Sequence, residues 1–455
     1  MALKSINPFT GKVIKTYPEY SDKKIESIIR ATQSDWIRLK ETSFKQRSVW
    51  MHNIAKSLYK EKYDLANLMV SEIGKPAADA VAEIEKCASV CEYYANNAEQ
   101  FLEDEFIETE AQKSYISFQP IGIVLAIMPW NFPFWQVFRF VAPALMAGNA
   151  GILKHASNTT GCALAIERIV KQSGFPENCF NAIVISSSKL DKTIENPLIK
   201  AITLTGSTNA GKKVAALAGS LVKKTVLELG GSDPYIVLKD ADIEMAAETC
   251  VNSRLINNGQ SCIAAKRFIV EKDIAKEFIR LFKSKMEARK FGNPSNPQFH
   301  LGTMAREDLR DDLHKQVLAS INQGAKCILG GYIPKEKGAF YPPTILTHVK
   351  KGNTAYQEEI FGPVAAIIIA KDEKEAIDIA NDTSFGLGGA LFTKNIKKGE
   401  KLAKEKLQAG SCFVNSFVKS DPRLPFGGIN ESGYGRELGV YGIKEFVNIK
   451  TVYIK

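Results

Sequence analysis

"KAITLTGSTNAGKKVAALAG", residues 200 to 219, joins an apolar, β-branched run to a helix-like one through Gly206 and Ser207. The first part reads as a strand and the last as a helix, with Ser207 placed to cap it. Gly206, four residues, Gly211 and Lys212 have the spacing of a phosphate-binding P-loop. Lys213, however, stands where that motif carries the Ser or Thr that holds Mg²⁺. Glycine lets a backbone approach a ligand closely, and free N–H groups at a helix start attract phosphate. Taken alone, the stretch fits a pyrophosphate cradle, a tight turn without ligand, or a triphosphate site. Lys213 and the lack of a downstream metal-binding Asp weigh against the last.

The same strand–turn–helix unit recurs on both sides. "AGILK", "NAIVIS" and "KTVLELG" read as strands, and "TTGCALAIERIVKQSG" as a helix stopped by Gly174. Beyond Gly230–Gly231 a second series begins: "PYIVL", a helix capped by Asp240, "KRFIVE", and "IAKEFIRLFKSKMEAR". It resumes at "AAIIIA", "KEAIDIAND", "GGALFT", "IKKGEKLAKEK" and "GSCFVN". This alternation predicts parallel sheets covered by helices on both faces, in two α/β halves. The first hundred residues read as helices, on apolar residues spaced i, i+3, i+4. "QKSYISFQPIGIVLAIMPW" reads as strands, and the tail "KEFVNIKTVYIK" as a lone strand in need of a partner outside its own domain.

A chain of 455 residues exceeds a single core, so two or three domains are expected. Its hydrophobic content of 45% and charged content of 24% are those of a globular protein. The net charge of +10 comes from scattered Lys residues, which suit mild steering of anions and give no nucleic-acid motif. No apolar leader and no run long enough to cross a bilayer is present, so no membrane association is expected. Eight irregularly spaced Cys fit free thiols in a reducing cytoplasm. Cys87 and Cys91 have no accompanying Cys or His pair, so no metal is expected.

Three stretches carry chemistry: "MPWNFPFWQVFRF" with Asn131, "LELGGSDP" with Glu228 at a strand end, and "NNGQSCIAAKRF" with Cys262 in a polar turn. Singly each has a plain structural reading: an inert thiol, a solvent-facing carboxylate, a turn Asn. Together, with "EEIFGPV" at 358 to 364 and "PFGGINESGYGRE" at 425 to 437, they resemble the aldehyde dehydrogenase superfamily over essentially the whole chain. The 34-residue separation of Glu228 and Cys262 also matches that family.

The resemblance implies an α/β fold of two Rossmann-type parallel-sheet domains plus a small β oligomerisation element. Residues 1–105 and 120–228 would bind the dinucleotide, 229–435 would form the catalytic domain, and 106–119 with 436–455 would bridge subunits of a homodimer or homotetramer. It implies Cys262 as the nucleophile, Asn131 as an oxyanion donor and Glu228 as the general base, with Glu437 in a proton relay. Pro129, Trp130, Lys154, Ser157, Gly206, Ser207, Leu229, Glu359 and Phe361 would contact the cofactor. Ser157 stands where NAD-preferring members often carry Glu; without that charge a 2′-phosphate is not repelled, so NADP is expected to be preferred and NAD accepted.

Arg139 matches the position at which succinate-semialdehyde dehydrogenases bind the substrate carboxylate, and a planar guanidinium suits that task. Trp135, Phe417, Ser420 and Arg423 would complete the pocket for an aldehyde bearing a carboxylate. Ile256 departs from relatives with a second Arg six residues before the nucleophile, and Ala264 excludes a local disulfide with Cys262. Glutarate semialdehyde and general aliphatic aldehydes are the rival substrates. A P-loop ATPase and a non-catalytic homologue are the rival classes.

Overall fold

The computed structural model describes residues 2–455. One six-stranded sheet runs Gly433–Tyr434, Lys224–Glu228, Ile199–Thr205, Ile123–Met128, Ala150–His155, Phe180–Ala182. All neighbours are parallel except the Gly433–Tyr434 edge. Ile123–Met128 is buried throughout, as its unbroken apolar run requires of a central strand covered on both faces. The chain leaves this strand for Ala150–His155 on one side and later returns to Ile199–Thr205 on the other. The strand order therefore reverses between Ile123–Met128 and Ile199–Thr205, and ligands of open α/β sheets bind beyond the carboxyl ends at such a reversal.

A seven-stranded sheet runs Lys326–Leu329, Thr344–Thr347, Val364–Ala370, Arg267–Glu271, Pro234–Val237, Gly388–Phe392, Ser411–Val414, parallel apart from the first pair. Val447–Ile454 pairs antiparallel with Lys113–Pro120 along its whole length, and Lys113–Pro120 pairs with Glu105–Phe106. The tail strand thus finds its partner more than three hundred residues earlier in the chain.

The sequence reading differs from the structure in three places. The first hundred residues hold the expected helices, including Asp22–Leu39 and Phe44–Ile73, but also a hairpin of Ala2–Ile6 and Val13–Pro18. Its strands bury only Ser5 and Tyr17, so no apolar alternation marks them. Ser5 Oγ instead donates to the buried Glu72 Oε1 at 2.9 Å and to Asn158 O at 3.1 Å. The helix expected to start from Asp240 is capped by Asp242, whose carboxylate accepts from Met245 N at 3.1 Å; Asp240 accepts from Thr393 Oγ1 at 2.7 Å. Finally, Gly433–Tyr434, expected within the catalytic part at 229–435, pairs instead with the edge of the first sheet.

Asn149 ties three segments together. Its Oδ1 accepts from Ile121 N at 2.8 Å and Gly122 N at 3.1 Å, and its Nδ2 donates to Phe446 O at 2.7 Å. The residue is fully buried. Among the described residues no helix is long and apolar enough to cross a membrane. Asn149→Ala leaves three backbone groups unpaired and is expected to destabilise the fold by about 2–4 kcal/mol. Thermal unfolding followed by circular dichroism checks this; an unchanged midpoint would contradict the anchoring role.

Candidate active site

Cys262 follows a backbone that few sequences allow. Asn257, Asn258 and Gly259 take successive φ values of 50°, 57° and 75°. Asn is the residue best able to share this region with Gly, because its short side chain bonds locally. Asn257 Nδ2 donates to Asn131 O at 2.7 Å, and Asn258 Nδ2 to Thr303 O at 2.9 Å. A Cβ on Gly259 would lie 2.3 Å from the Gly362 carbonyl, so the Cys262 turn and the "EIFGP" loop touch backbone to backbone. Arg254 clasps both, with Nη2 2.6 Å from Gly259 O and Nη1 3.5 Å from Ile360 O.

The Cys262 thiol is half-buried. Burial pushes it up to about 12, against the opposing pull of Arg139 and Lys266. Lys266 Nζ donates to Cys262 O at 2.5 Å and Ser261 O at 3.0 Å. The Cys262 backbone N–H donates to no protein group among the described residues. Asn131 is buried, and its Nδ2 uses one hydrogen on Gln260 O at 3.1 Å, which leaves a second.

Glu228 ends the Lys224–Glu228 strand and is almost fully buried. Neither of its carboxylate oxygens has a hydrogen-bond partner among the described residues. Burial, reinforced by the charge of Glu437, drives it well above the usual carboxylate range, and Arg139 and Arg436 only partly oppose this. Gly427, at φ 154°, lets the "PFGG" loop lie against this carboxylate; a Cβ there would stand 2.7 Å from Glu228 Oε1.

Arg139 sits on the buried Trp135–Met146 helix. Its Nε lies 2.7 Å from Glu437 Oε2, its guanidinium stacks 4.7 Å from the Phe426 ring, and its Nη2 has no acceptor. Trp135 Nε1 donates to Ser420 Oγ at 3.1 Å, which unites two of the sequence-predicted pocket residues. Arg423 is instead held outward in a bidentate pair with Asp421 at 2.7–2.8 Å. Phe417 packs with the core of the second sheet.

The candidate cofactor residues gather at the strand ends of the first sheet. Pro129 and Trp130 follow Ile123–Met128, Lys154 lies at the end of Ala150–His155, and Ser157 opens the next turn. Ser207 caps the Thr208–Ser220 helix by accepting from Ala210 N at 3.3 Å, with Gly206 just before it. Leu229 is buried after Glu228. The rings of Trp130 and Phe361 meet edge to face at 5.8 Å. Glu359 Oε1 accepts from Gly231 N at 3.1 Å and lies 3.3 Å from Lys266 Nζ. Lys212 Nζ is spent on the surface carboxylate of Glu431 at 2.6 Å, so the P-loop spacing is coincidental.

Sequence reading missed several residues of this assembly. Glu83 Oε1 accepts from Phe134 N and Trp135 N, both at 2.9 Å, at the start of the helix that carries Arg139. Lys75 Nζ pairs with Glu83 and donates to Asn131 O at 3.3 Å. Lys86 Nζ donates to Ser420 Oγ at 2.9 Å. None had a local motif; the one available signal was the Asn-Asn-Gly run for Asn257.

A half-buried thiol, a buried carboxylate and an amide with a spare donor hydrogen, beside a parallel sheet whose strand order reverses, fit an enzyme with a dinucleotide-type crevice. The model of the Aldehyde dehydrogenase family matches residues 1–452, and the chain belongs to that family. It is 47% identical over 454 residues to a Synechocystis sp. protein named probable succinate-semialdehyde dehydrogenase (NADP(+)), with all of both chains covered. It is 45% identical over 457 residues, again with full coverage of both, to succinate-semialdehyde dehydrogenase (NADP(+)) 1 of Mycobacterium tuberculosis. The solved succinic semialdehyde dehydrogenase of Streptococcus pyogenes, in complex with NADP+, superposes with a TM-score of 0.97 at 34% identity, each chain wholly covered.

Because burial raises the Cys262 thiol, alkylation of the cofactor-free protein by iodoacetamide is expected to accelerate with pH without levelling by about pH 9.5. Peptide mass spectrometry resolves Cys262 from the other thiols. A rate that levels at or below about pH 8 would contradict the raised thiol.

Proposed function

We propose that this protein oxidises succinate semialdehyde to succinate with NADP⁺, accepting NAD⁺ less well. The observation that carries the reading is Arg139, whose Nη2 has no acceptor among the described residues and whose charge acts on the Cys262 thiol, on the same helix as Trp135, whose indole donates to the loop residue Ser420. The names of the relatives add to it.

The net reaction takes aldehyde, water and NADP⁺ to carboxylate, NADPH and two protons. Cys262 attacks the aldehyde carbon once its proton is lost, a loss favoured by the charges of Arg139 and Lys266. The oxygen of the resulting thiohemiacetal carries negative charge, which the free Asn131 Nδ2 hydrogen and the Cys262 N–H are oriented to receive; losing one such donor costs about 3–4 kcal/mol in comparable sites. NADP⁺, when bound, supplies the hydride acceptor. Glu228 then takes a proton from the water that opens the thioester. A carboxylate raised by burial is basic enough to do so near neutral pH. Glu437, held on Arg139, is the next carboxylate along the proton's path.

The residues at the first sheet's strand ends fit an adenine dinucleotide. The Thr208–Ser220 helix starts at Ser207 with free N–H groups for a pyrophosphate. Lys154 forms no ion pair among the described residues, and burial lowers its pKa; an anionic ribose phosphate removes that penalty. Trp130 and Phe361 supply apolar contacts, Glu359 a ribose acceptor, and Pro129 and Leu229 the crevice floor.

In this reading the dinucleotide-binding part is 1–105 and 120–228, the catalytic part 229–435 and the bridge 106–119 with 436–455, except that Gly433–Tyr434 pairs with the first sheet and the strands Glu105–Phe106 and Lys113–Pro120 carry the bridge sheet to 105 and 120. Phe106, Ile107, Ile449, Tyr453 and Ile454 are exposed on or beside the three-stranded bridge sheet, which supports its burial in a homodimer or homotetramer. Eight free cysteines suit the cytoplasm.

Absorbance at 340 nm tests the reading with succinate semialdehyde, glutarate semialdehyde and hexanal, each with NADP⁺ and NAD⁺. Succinate semialdehyde with NADP⁺ is expected to give the highest kcat/KM, and Cys262→Ala to abolish it; equal rates on hexanal would refute the carboxylate pocket. Ser157→Glu is expected to lower kcat/KM for NADP⁺ by roughly a hundredfold while sparing NAD⁺, through repulsion of the 2′-phosphate. In wild type the steady-state rate should rise with pH through a pKa above the ordinary carboxylate range, as Glu228 deprotonates. Glu228→Gln should convert steady turnover into a burst of NADPH followed by slow hydrolysis; a lost burst would assign Glu228 to the first step instead.

A further inference from the structure

Lys86 lies on the Ala77–Phe101 helix, far in sequence from every motif that marks the site. Its Nζ donates to Ser420 Oγ at 2.9 Å and stands 4.2 Å from the centre of the Trp135 ring. Trp135 Nε1 donates to the same hydroxyl at 3.1 Å, so the three side chains form one patch. Lys86 and Trp135 line a cavity of about 170 Å³ together with Phe132, Ile256 and Asn257. Phe132 follows Asn131, and Asn257 holds the Asn131 carbonyl at 2.7 Å, so the cavity adjoins the loop that carries the oxyanion donor.

Two lysines, Lys75 and Lys86, and two carboxylates, Asp79 and Glu83, line this cavity, and burial raises Asp79 towards its neutral form against the pull of Lys75. Glu83 is engaged by Lys75 and by two backbone N–H groups. Lys86 forms no ion pair among the described residues, and two of its three ammonium hydrogens have no acceptor. Ile256 gives the same cavity an apolar wall, and its second basic group, Lys75, is already taken by Glu83. A largely desolvated cation with spare donors, an indole against it and a hydroxyl shared with it make a receptor for a carboxylate.

We propose that Lys86 is a substrate-binding residue: its ammonium, positioned by Ser420 and Trp135, takes the carboxylate end of the semialdehyde and forms with Arg139 a two-cation site. This rests on the semialdehyde reading above and names the group that selects the substrate.

The site carries its own pH signature. Burial and the nearby Arg139 hold Lys86 down at about 8, while Cys87 and Glu83 on its own helix and Asp421 on the adjoining loop pull it upward. A carboxylate bound between Lys86 and Arg139 favours the protonated ammonium. Affinity for the charged substrate is therefore full below this pKa and declines as pH rises through it, whereas an uncharged aldehyde has no such dependence.

The experiment compares kcat/KM for succinate semialdehyde and for butanal, which has the same chain length without the carboxylate. It uses the full-length enzyme with NADP⁺ from about pH 6.5 to about pH 9.5. In wild type the ratio of the two is expected to fall above about pH 8. Lys86→Met should lower the ratio at neutral pH by roughly ten- to a hundredfold, through KM for the semialdehyde, and remove its pH dependence. Lys86→Arg should restore most of the ratio. Succinate, as a dead-end inhibitor, should weaken in parallel. If Lys86→Met does not fold, Lys86→Gln and Lys86→Arg with the wild-type pH profile decide. A high wild-type ratio retained in Lys86→Met, or an equal loss on both aldehydes, overturns the role of Lys86 alone. A wild-type ratio near one overturns the semialdehyde reading and this proposal with it.

Discussion

The buried ion pair of Lys75 and Glu83 is the constraint on which the site depends. Two charges taken out of water are costly unless further hydrogen bonds satisfy them, and here every spare valence is directed at the active site. Glu83 receives the first N–H groups of the Trp135–Met146 helix, where its negative charge also complements the helix dipole. Lys75 spends a second bond on the Asn131 carbonyl. One pair therefore fixes Asn131 just before the helix, and Trp135 and Arg139 on it. With Asn257 on the same carbonyl, the turn before Cys262 is registered against the loop carrying Asn131.

Burial is used differently by each titratable group in the centre. It raises the Cys262 thiol, against the opposing charges of Arg139 and Lys266. It makes Glu228 a stronger base than a surface carboxylate. The oxygens of Glu228 and the Nη2 of Arg139 are among several buried polar atoms here, with Asn131 Oδ1 and Asn257 Oδ1, that have no hydrogen-bond partner among the described residues.

The parts of this architecture that could be read from sequence are those with local signatures. Parallel strands such as Ile123–Met128 announce themselves as unbroken apolar runs, and amphipathic helices such as Asp22–Leu39 by their period. Cys262, Glu228 and Asn131 stand in motifs, and Ser207 caps its helix as its position implies. What escaped reading is held by single polar contacts over long separations. The Ala2–Ile6 hairpin is anchored by one serine hydroxyl, and Lys86 meets Ser420 across 334 residues. Among so many surface lysines nothing local distinguishes Lys75 or Lys86. The Arg139–Glu437 pair was equally invisible, because it requires the loop after "PFGG" to fold back over the helix.

That fold-back has a consequence for the order of assembly during synthesis. Phe446 supplies the acceptor for Asn149, Glu437 the counter-ion for Arg139, Gly433 and Tyr434 the edge beside Glu228, and Val447–Ile454 the strand for Lys113–Pro120. All of these leave the ribosome after Cys262, after the whole second sheet and after the other five strands of the first. A nascent chain paused before Phe426 thus lacks the strand that covers the Glu228 edge and leaves the Arg139 guanidinium without its carboxylate. Completion of this buried cluster therefore waits until the C-terminal segment has been translated.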